Sequence, residues 1–195
     1  VIYFGFNYLA VLSNKVKIKN INKTKREKKL KKRLKRLQRQ ISRKYEANKE
    51  GNKFVKTNNI IKLEKQIKLL YRKLSNIRNN HIHQATNKII KLKPYRIVME
   101  NLNVSGMMKN KHLSKAIAEQ CFYEFIRQIK YKSKFNGIEF IQADRFYPSS
   151  KKCSCCGNIK KDLKLKERTY ICNECGNRID RDLNASINLA NYKLV

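Results

Sequence analysis

The sequence predicts an α/β core carrying a basic helical hairpin as an insertion. Three observations carry this. Short apolar runs of strand length alternate with helical stretches. A central segment holds two narrow apolar seams at helical spacing. The charge is also divided: 47 Lys+Arg against 14 Asp+Glu give a net +33 over 195 residues, and residues 14–93 carry +24 of it.

Residues 1–13 are predicted as a strand or hairpin through Ile2, Phe4 and Phe6, then Leu9, Ala10, Val11 and Leu12, with Gly5 at the bend. Asn7 interrupts this run, which is too short to cross a bilayer and has no basic leader before it. The chain opens on Val within an apolar run already under way, so a missing upstream part is expected.

Residues 14–93 hold 28 basic and 4 acidic residues. Leu30, Leu34, Leu37, Ile41 and Tyr45 make one seam; Ile60, Leu63, Ile67, Leu70, Leu74 and Ile77 make the other. Such narrow seams predict two helices packed face to face. The stretch 46–59, with Gly51 and several Asn, breaks the pattern between them. The basic faces suit either plain solvation or contact with a polyanion, nucleic acid before an acidic membrane surface.

From Pro94 the pattern changes. Tyr95–Met99 is predicted as a buried strand ending at Glu100. Ser114–Tyr131 has helical spacing through Ile117, Cys121, Phe122, Phe125, Ile126 and Ile129, with Cys121 as a core residue. Gly137–Gln142 is a further strand, and a last helix runs from about Asp182 to Tyr192.

Five of the six cysteines fall between Cys153 and Cys175. Without an export signal this clustering predicts metal binding rather than disulfides. Cys153/Cys156 and Cys172/Cys175 are two CxxC pairs, the spacing of a four-cysteine zinc ribbon. Gly157 and Gly176 follow each pair, where a tight turn aims backbone amides at sulfur. Cys155 is a spare and leaves an alternative ligand choice open. Four thiolates leave zinc no open position, so the ion is structural.

Glu100 ends an apolar strand, and Asp180 and Asp182 open the last helix. Carboxylates at such places can hold Mg²⁺ for phosphodiester cleavage. They can equally cap a helix or sit satisfied at a strand edge.

The segments VMENLNVSGM (98–107), DRFYPSSKKCSCCG (144–157), YICNECG (170–176) and DRDLNASINLAN (180–191), in this order, resemble TnpB, the transposon-encoded OrfB family related to compact type V CRISPR effectors. NIRNNHIHQ (76–84) is similar to the end of that family's basic helical insert. The resemblance spans essentially the whole chain and matches the family's C-terminal nuclease half. It implies an RNase-H-like (RuvC-type) core, with residues 1–13 as its first strands, 14–93 as the helical insertion, 94–147 as more core, 148–178 as the zinc ribbon and 179–195 as the last core helix. It implies an RNA-guided DNA endonuclease, often called a transposase, whose centre is Asp, Glu, Asp with two Mg²⁺. Glu100 matches the second carboxylate, Asp182 the third, and Asp180 is a nearby acid of auxiliary role.

The first carboxylate is missing. Where the family has Asp two residues before Gly, FGFNYLAVLS places Tyr3. Tyrosine is neutral at pH 7, its pKa being about 10, and is a poor ligand for a hard cation. Impaired cleavage is therefore expected. DNA and guide RNA are the implied partners, and no membrane is. Arg78, Arg145, Ser149, Ser150, Lys151 and Arg181 lie in matched segments and are candidate nucleic-acid contacts, or ordinary polar residues. The location implied is cytoplasmic, nucleoid-associated when bound to DNA. Three readings stay open: a degraded nuclease copy, a nuclease-dead guided DNA binder, or a zinc-ribbon nucleic-acid-binding module without enzymatic activity.

Overall fold

The computed structural model describes residues 1–5, 7–164 and 166–192. Phe6, expected in the first strand region, lies outside them. The chain divides into two compact units, residues 1–20 with 83–195, and residues 21–82.

The first unit is built on a five-stranded sheet. Its strands are β1 (Ile2–Phe4), β2 (Tyr8–Leu12), β3 (Lys17–Lys19), β6 (Arg96–Met99) and β7 (Glu139–Gln142), in the order β3-β2-β1-β6-β7. The β1–β2 and β2–β3 pairs are antiparallel, while β1–β6 and β6–β7 are parallel. The sheet is thus mixed, and β3 is a strand that its Lys-Ile-Lys sequence did not announce. Its single apolar residue, Ile18, is buried.

Period-two alternation sends neighbouring side chains of β1 to opposite faces. Ile2 and Phe4 are buried on one face, where the Phe4 ring meets Phe122 at 5.0 Å and Phe125 at 5.5 Å. Tyr3 joins the other face, packed with Val98, Ile141, Ala143 and Leu189. Leu189 belongs to α6 (Arg181–Ala190), the last helix.

The single helix expected over Ser114–Tyr131 is two, α4 (Ser114–Gln120) and α5 (Phe122–Phe135), after a short α3 (Val104–Met108). Cys121 breaks it. Its φ of +53° is left-handed, and its side chain is only partly buried. The expectation of a plain core cysteine is corrected: the backbone turns there, and Phe122 and Phe125 rather than Cys121 supply the contact with β1.

The second unit is the basic hairpin. It contains α1 (Lys25–Ala47), the two-residue strands β4 (Lys49–Glu50) and β5 (Lys53–Phe54), and most of α2 (Asn58–Lys91). Leu34, Leu37, Leu70 and Leu74 form its buried seam, flanked by Leu30, Leu63 and Ile67. Thr24 caps α1, its hydroxyl accepting from the Glu27 amide. The Glu27 carboxylate is fully buried and ion-paired with Arg78 at 3.3 Å. Arg78 also donates to Asn22 at 3.2 Å. That places the guanidinium inside the hairpin's own polar tie.

Candidate acid centre and four-thiol ribbon

Three elements converge where β1 and β6 end. β1 and β6 run parallel with Ile2 opposite Met99, so Glu100 leaves β6 beside Phe4. The Phe4 amide donates to the Glu100 Oε1 at 3.0 Å. α6 brings Asp182 to the same place. A Cβ at Gly5 would sit 3.3 Å from its Oδ2 and 3.3 Å from the Tyr8 carbonyl oxygen, a tight fit that places the Asp182 carboxylate against the end of β1. Tyr3, Phe4, Glu100, Phe122, Arg168 and Asp182 line a cavity of about 360 Å³.

Asp180 has a different task. It caps α6, accepting from the amides of Asp182 and Leu183 at 3.0 and 3.1 Å, and its other oxygen takes Lys17 Nζ at 2.9 Å. Burial works against its charge, but Lys17 and the two amides hold its carboxyl below the ordinary range. Asp182 is raised, by burial and then by the charge on Asp180. Glu100 is pushed up to about 7, first by burial and then by Asp182, against the lowering effect of the Phe4 amide. Burial and the neighbouring Glu100 and Asp182 charges raise the Tyr3 phenol, with Arg181 and Ser150 acting weakly the other way.

This donor set does not fit a pair of hard cations. It offers two carboxylates, Glu100 and Asp182, and a neutral phenol in place of a third anion.

The proton on Glu100 has a measurable consequence. Its folded value near 7 lies above the ordinary 4.5, so the contribution to stability is fully present below about 4.5 and lost as pH rises through 7. Glu100→Gln removes this dependence. The variant is expected to match wild type near pH 4.5 and to exceed it by roughly 3 kcal/mol above pH 7. Urea denaturation of both chains across that range checks it, and parallel pH profiles would refute it.

The second site is the cysteine ribbon. Strands β8 (Thr169–Ile171) and β9 (Arg178–Asp180) pair antiparallel, and β9 runs straight into α6. The sulfurs of Cys153, Cys156, Cys172 and Cys175 all lie within 4.8 Å of one another. Cys153–Cys175 and Cys156–Cys172 are 3.7 and 3.5 Å apart. A tetrahedral thiolate site with Zn–S bonds near 2.3 Å needs sulfurs about 3.8 Å apart, so the set fits. Cys155 is exposed and outside it. Gly157 and Gly176 take φ of +80° and +67° at the two turns. Burial opposes ionisation of Cys153, but the amides of Cys156 and Cys155 pull its thiol well below the ordinary range.

Two asparagines of α6, without a motif signature of their own, join the two sites. Asn184 donates to the Lys152 carbonyl at 2.7 Å and accepts from the Ser154 amide at 2.9 Å. Asn188 donates to the carbonyls of Ser149 and Lys152 at 2.8 and 2.6 Å. Both are buried on α6. The signal was there, since a buried Asn on an apolar helix face needs backbone partners. Of the other candidates, Ser149 is buried, Arg145 and Lys151 are exposed, and Arg181 donates to the Lys164 carbonyl at 3.1 Å.

An α/β protein with a carboxylate-lined sheet end and a four-thiol ribbon feeding its last helix is the class this geometry defines. The chain belongs to the OrfB (IS605) family, whose model, described as "Probable transposase", matches residues 2–111. A second model, "Cas12f1-like, TNB domain", matches residues 122–189. A protein of Escherichia coli K12 named "Putative RNA-guided DNA endonuclease InsQ" is 30% identical over 95% of this chain and 46% of its own length. Cas12f1 of Sulfoacidibacillus thermotolerans, a CRISPR-associated endodeoxyribonuclease, is 29% identical over 65% of this chain and 30% of its own. The chain thus spans less than half the length of these relatives. A cryo-EM structure of a Cas12f1–sgRNA–target DNA complex matches with a TM-score of 0.70 at 22% identity, covering 99% of this chain and 49% of that one. Among the described residues, no helix is long and apolar enough to cross a membrane.

Proposed function

We propose that this chain is the RuvC-type nuclease portion of a transposon-encoded, RNA-guided DNA-binding protein in which cleavage is impaired. One observation carries the reading: a tyrosine packed into the sheet face shares the cavity of Glu100 and Asp182. The RNase-H-like assignment is supported by the mixed sheet with α6 laid on it, and the division into residues 1–13, 14–93, 94–147, 148–178 and 179–195 follows the family's order. Zinc is the ion assigned to the four thiols, by ligand type and sulfur spacing. DNA and guide RNA are the partners assigned, by the nature of the relatives and the net +33. The cell location that follows is the cytoplasm, on nucleoid DNA.

Binding and cutting come apart physically. Phosphate contacts depend on Lys and Arg, not on the acid centre. The hairpin carries most of that charge; Arg145, Ser150 and Lys151 are the contacts assigned in the first unit, with Arg78, Ser149 and Arg181 as weaker candidates because their polar groups are engaged or buried. The zinc-loaded chain is expected to bind DNA with an affinity that falls steeply with salt and to leave it uncut in Mg²⁺ or Mn²⁺. Cutting that disappears in Glu100→Gln would overturn the first half of this reading, and salt-independent affinity the second.

A further inference from the structure

Helix α5 buries Phe122, Phe125 and Ile129 toward the sheet. Its outer face is not an ordinary solvated one. Tyr123, Arg127, Tyr131 and Phe135 follow one another at i+4, the spacing that stacks side chains along a helix. Tyr123 is 69% and Phe135 80% exposed. The Tyr131 and Phe135 rings meet edge to face at 5.8 Å, and the Arg127 guanidinium lies 5.6 Å from the Tyr131 centroid.

The arginine is held for this position. Its Nε and Nη2 donate to the two oxygens of Glu124, both at 2.8 Å. Glu124 also accepts from the buried Gln128 at 2.8 Å, so the fork is anchored in the helix's inner face. The exposed Lys130 and Lys134 flank the stripe. Glu124 is the one acid on the helix, and its charge is matched by Arg127.

We propose that this aromatic–cationic stripe on α5 is a stacking platform for the bases of a single-stranded nucleic acid. Rings exposed beside a held guanidinium plane suit base faces, and the exposed Lys130 and Lys134 suit phosphates. Rungs at i+4 are about 6 Å apart along the axis. That is nearly twice the roughly 3.4 Å repeat of one strand in a duplex. The platform therefore suits an extended strand with splayed bases and not stacked base pairs. Charge argues against a second copy as the occupant, since each copy carries +33.

The inference rests on the nucleic-acid reading above only for the class of partner. Its test uses neither guide nor cleavage. The zinc-loaded chain is titrated, at salt high enough to weaken phosphate contacts, with a short oligothymidylate and with an abasic strand of equal length. Wild type is expected to prefer the strand with bases, and the Tyr123→Ser/Phe135→Ser double variant to bind it about a hundredfold more weakly, the size of two lost base stacks, with unchanged affinity for the abasic strand. Its melting temperature should be unchanged, because both rings lie outside the core. Iodouracil-substituted strands should crosslink to peptides containing Tyr123, Tyr131 or Phe135. Equal binding of both strands by wild type, or crosslinks confined to other segments, would overturn the platform and leave the nucleic-acid reading standing. Binding to neither strand would overturn both. An acidic protein that competes for the face while oligothymidylate does not would also reject it.

Discussion

In the zinc-loaded chain without added Mg²⁺ or Mn²⁺, Tyr3→Asp is expected to lower stability by about 4 kcal/mol or more, and either ion is expected to restore part of it. Wild type should respond to neither ion. Two costs add in the variant. The ring of Tyr3 leaves a cluster with Val98, Ile141, Ala143 and Leu189, and truncating a packed aromatic typically costs about 3–5 kcal/mol. The new carboxylate then stands beside Glu100 and Asp182, partly out of water, where like charges resist ionisation. A divalent ion removes the second cost and not the first. At an ion concentration a hundredfold above Kd, the recovery is about 2.7 kcal/mol. Urea denaturation with and without ion measures it. Wild type stabilised by Mg²⁺ to the same extent would refute the misfit of the native donor set. Tyr3→Phe is the control: it keeps the ring in the cluster, loses only the hydroxyl and should stay ion-independent. A Tyr3→Asp chain that gains ion binding but still leaves DNA uncut, even as part of a guide-loaded full-length protein, would show that Tyr3 is not the only lesion.

Much of this site could be read before the fold was known, and the parts that could not have a common cause. The hairpin seams through Leu34, Leu37, Leu70 and Leu74 obey a local period, so sequence spacing locates them directly. The four ligand cysteines announce themselves in the same way, by two fixed spacings. Cys121 does not. Its flanks have unbroken helical spacing, while the left-handed turn there accompanies the non-local seating of Phe122 and Phe125 on Phe4. β3 is hidden for a related reason: an edge strand with one buried residue has no pattern to show. The uses of Asp180 and Arg78 are likewise non-local. Lys17 lies 163 residues from Asp180, and Glu27 and Asn22 lie about fifty from Arg78. Charge at a motif position signals importance without telling a partner in solution from a partner in the fold.

Removing zinc is expected to have the largest effect, and to reach the acid centre. Apart from its cysteines, the ribbon's buried core is little more than Leu163 and Tyr170, with Ile179 packed against them. Such a cluster cannot hold two short strands alone. Metal binding in isolated four-ligand zinc peptides is worth about 10–16 kcal/mol at neutral pH, so the ribbon should unfold without its ion. The consequence then travels through covalent continuity and two asparagines. β9 ends at Asp180, the cap of α6, while Asn184 and Asn188 bind backbone groups of the ribbon's first turn and the segment before it. Unfolding therefore strands two buried side-chain amides and removes the N-cap geometry that positions Asp182. Hydrogen exchange on the chain before and after chelation should show protection lost over β8, β9 and the first turn of α6, with the β6–β7 pair retained. Cys153→Ser should reproduce the loss at ordinary zinc concentration. Cys155→Ser should not, because that sulfur is exposed and outside the set. A metal-free chain with full protection at the start of α6 would mean that the ribbon and the acid centre are independent.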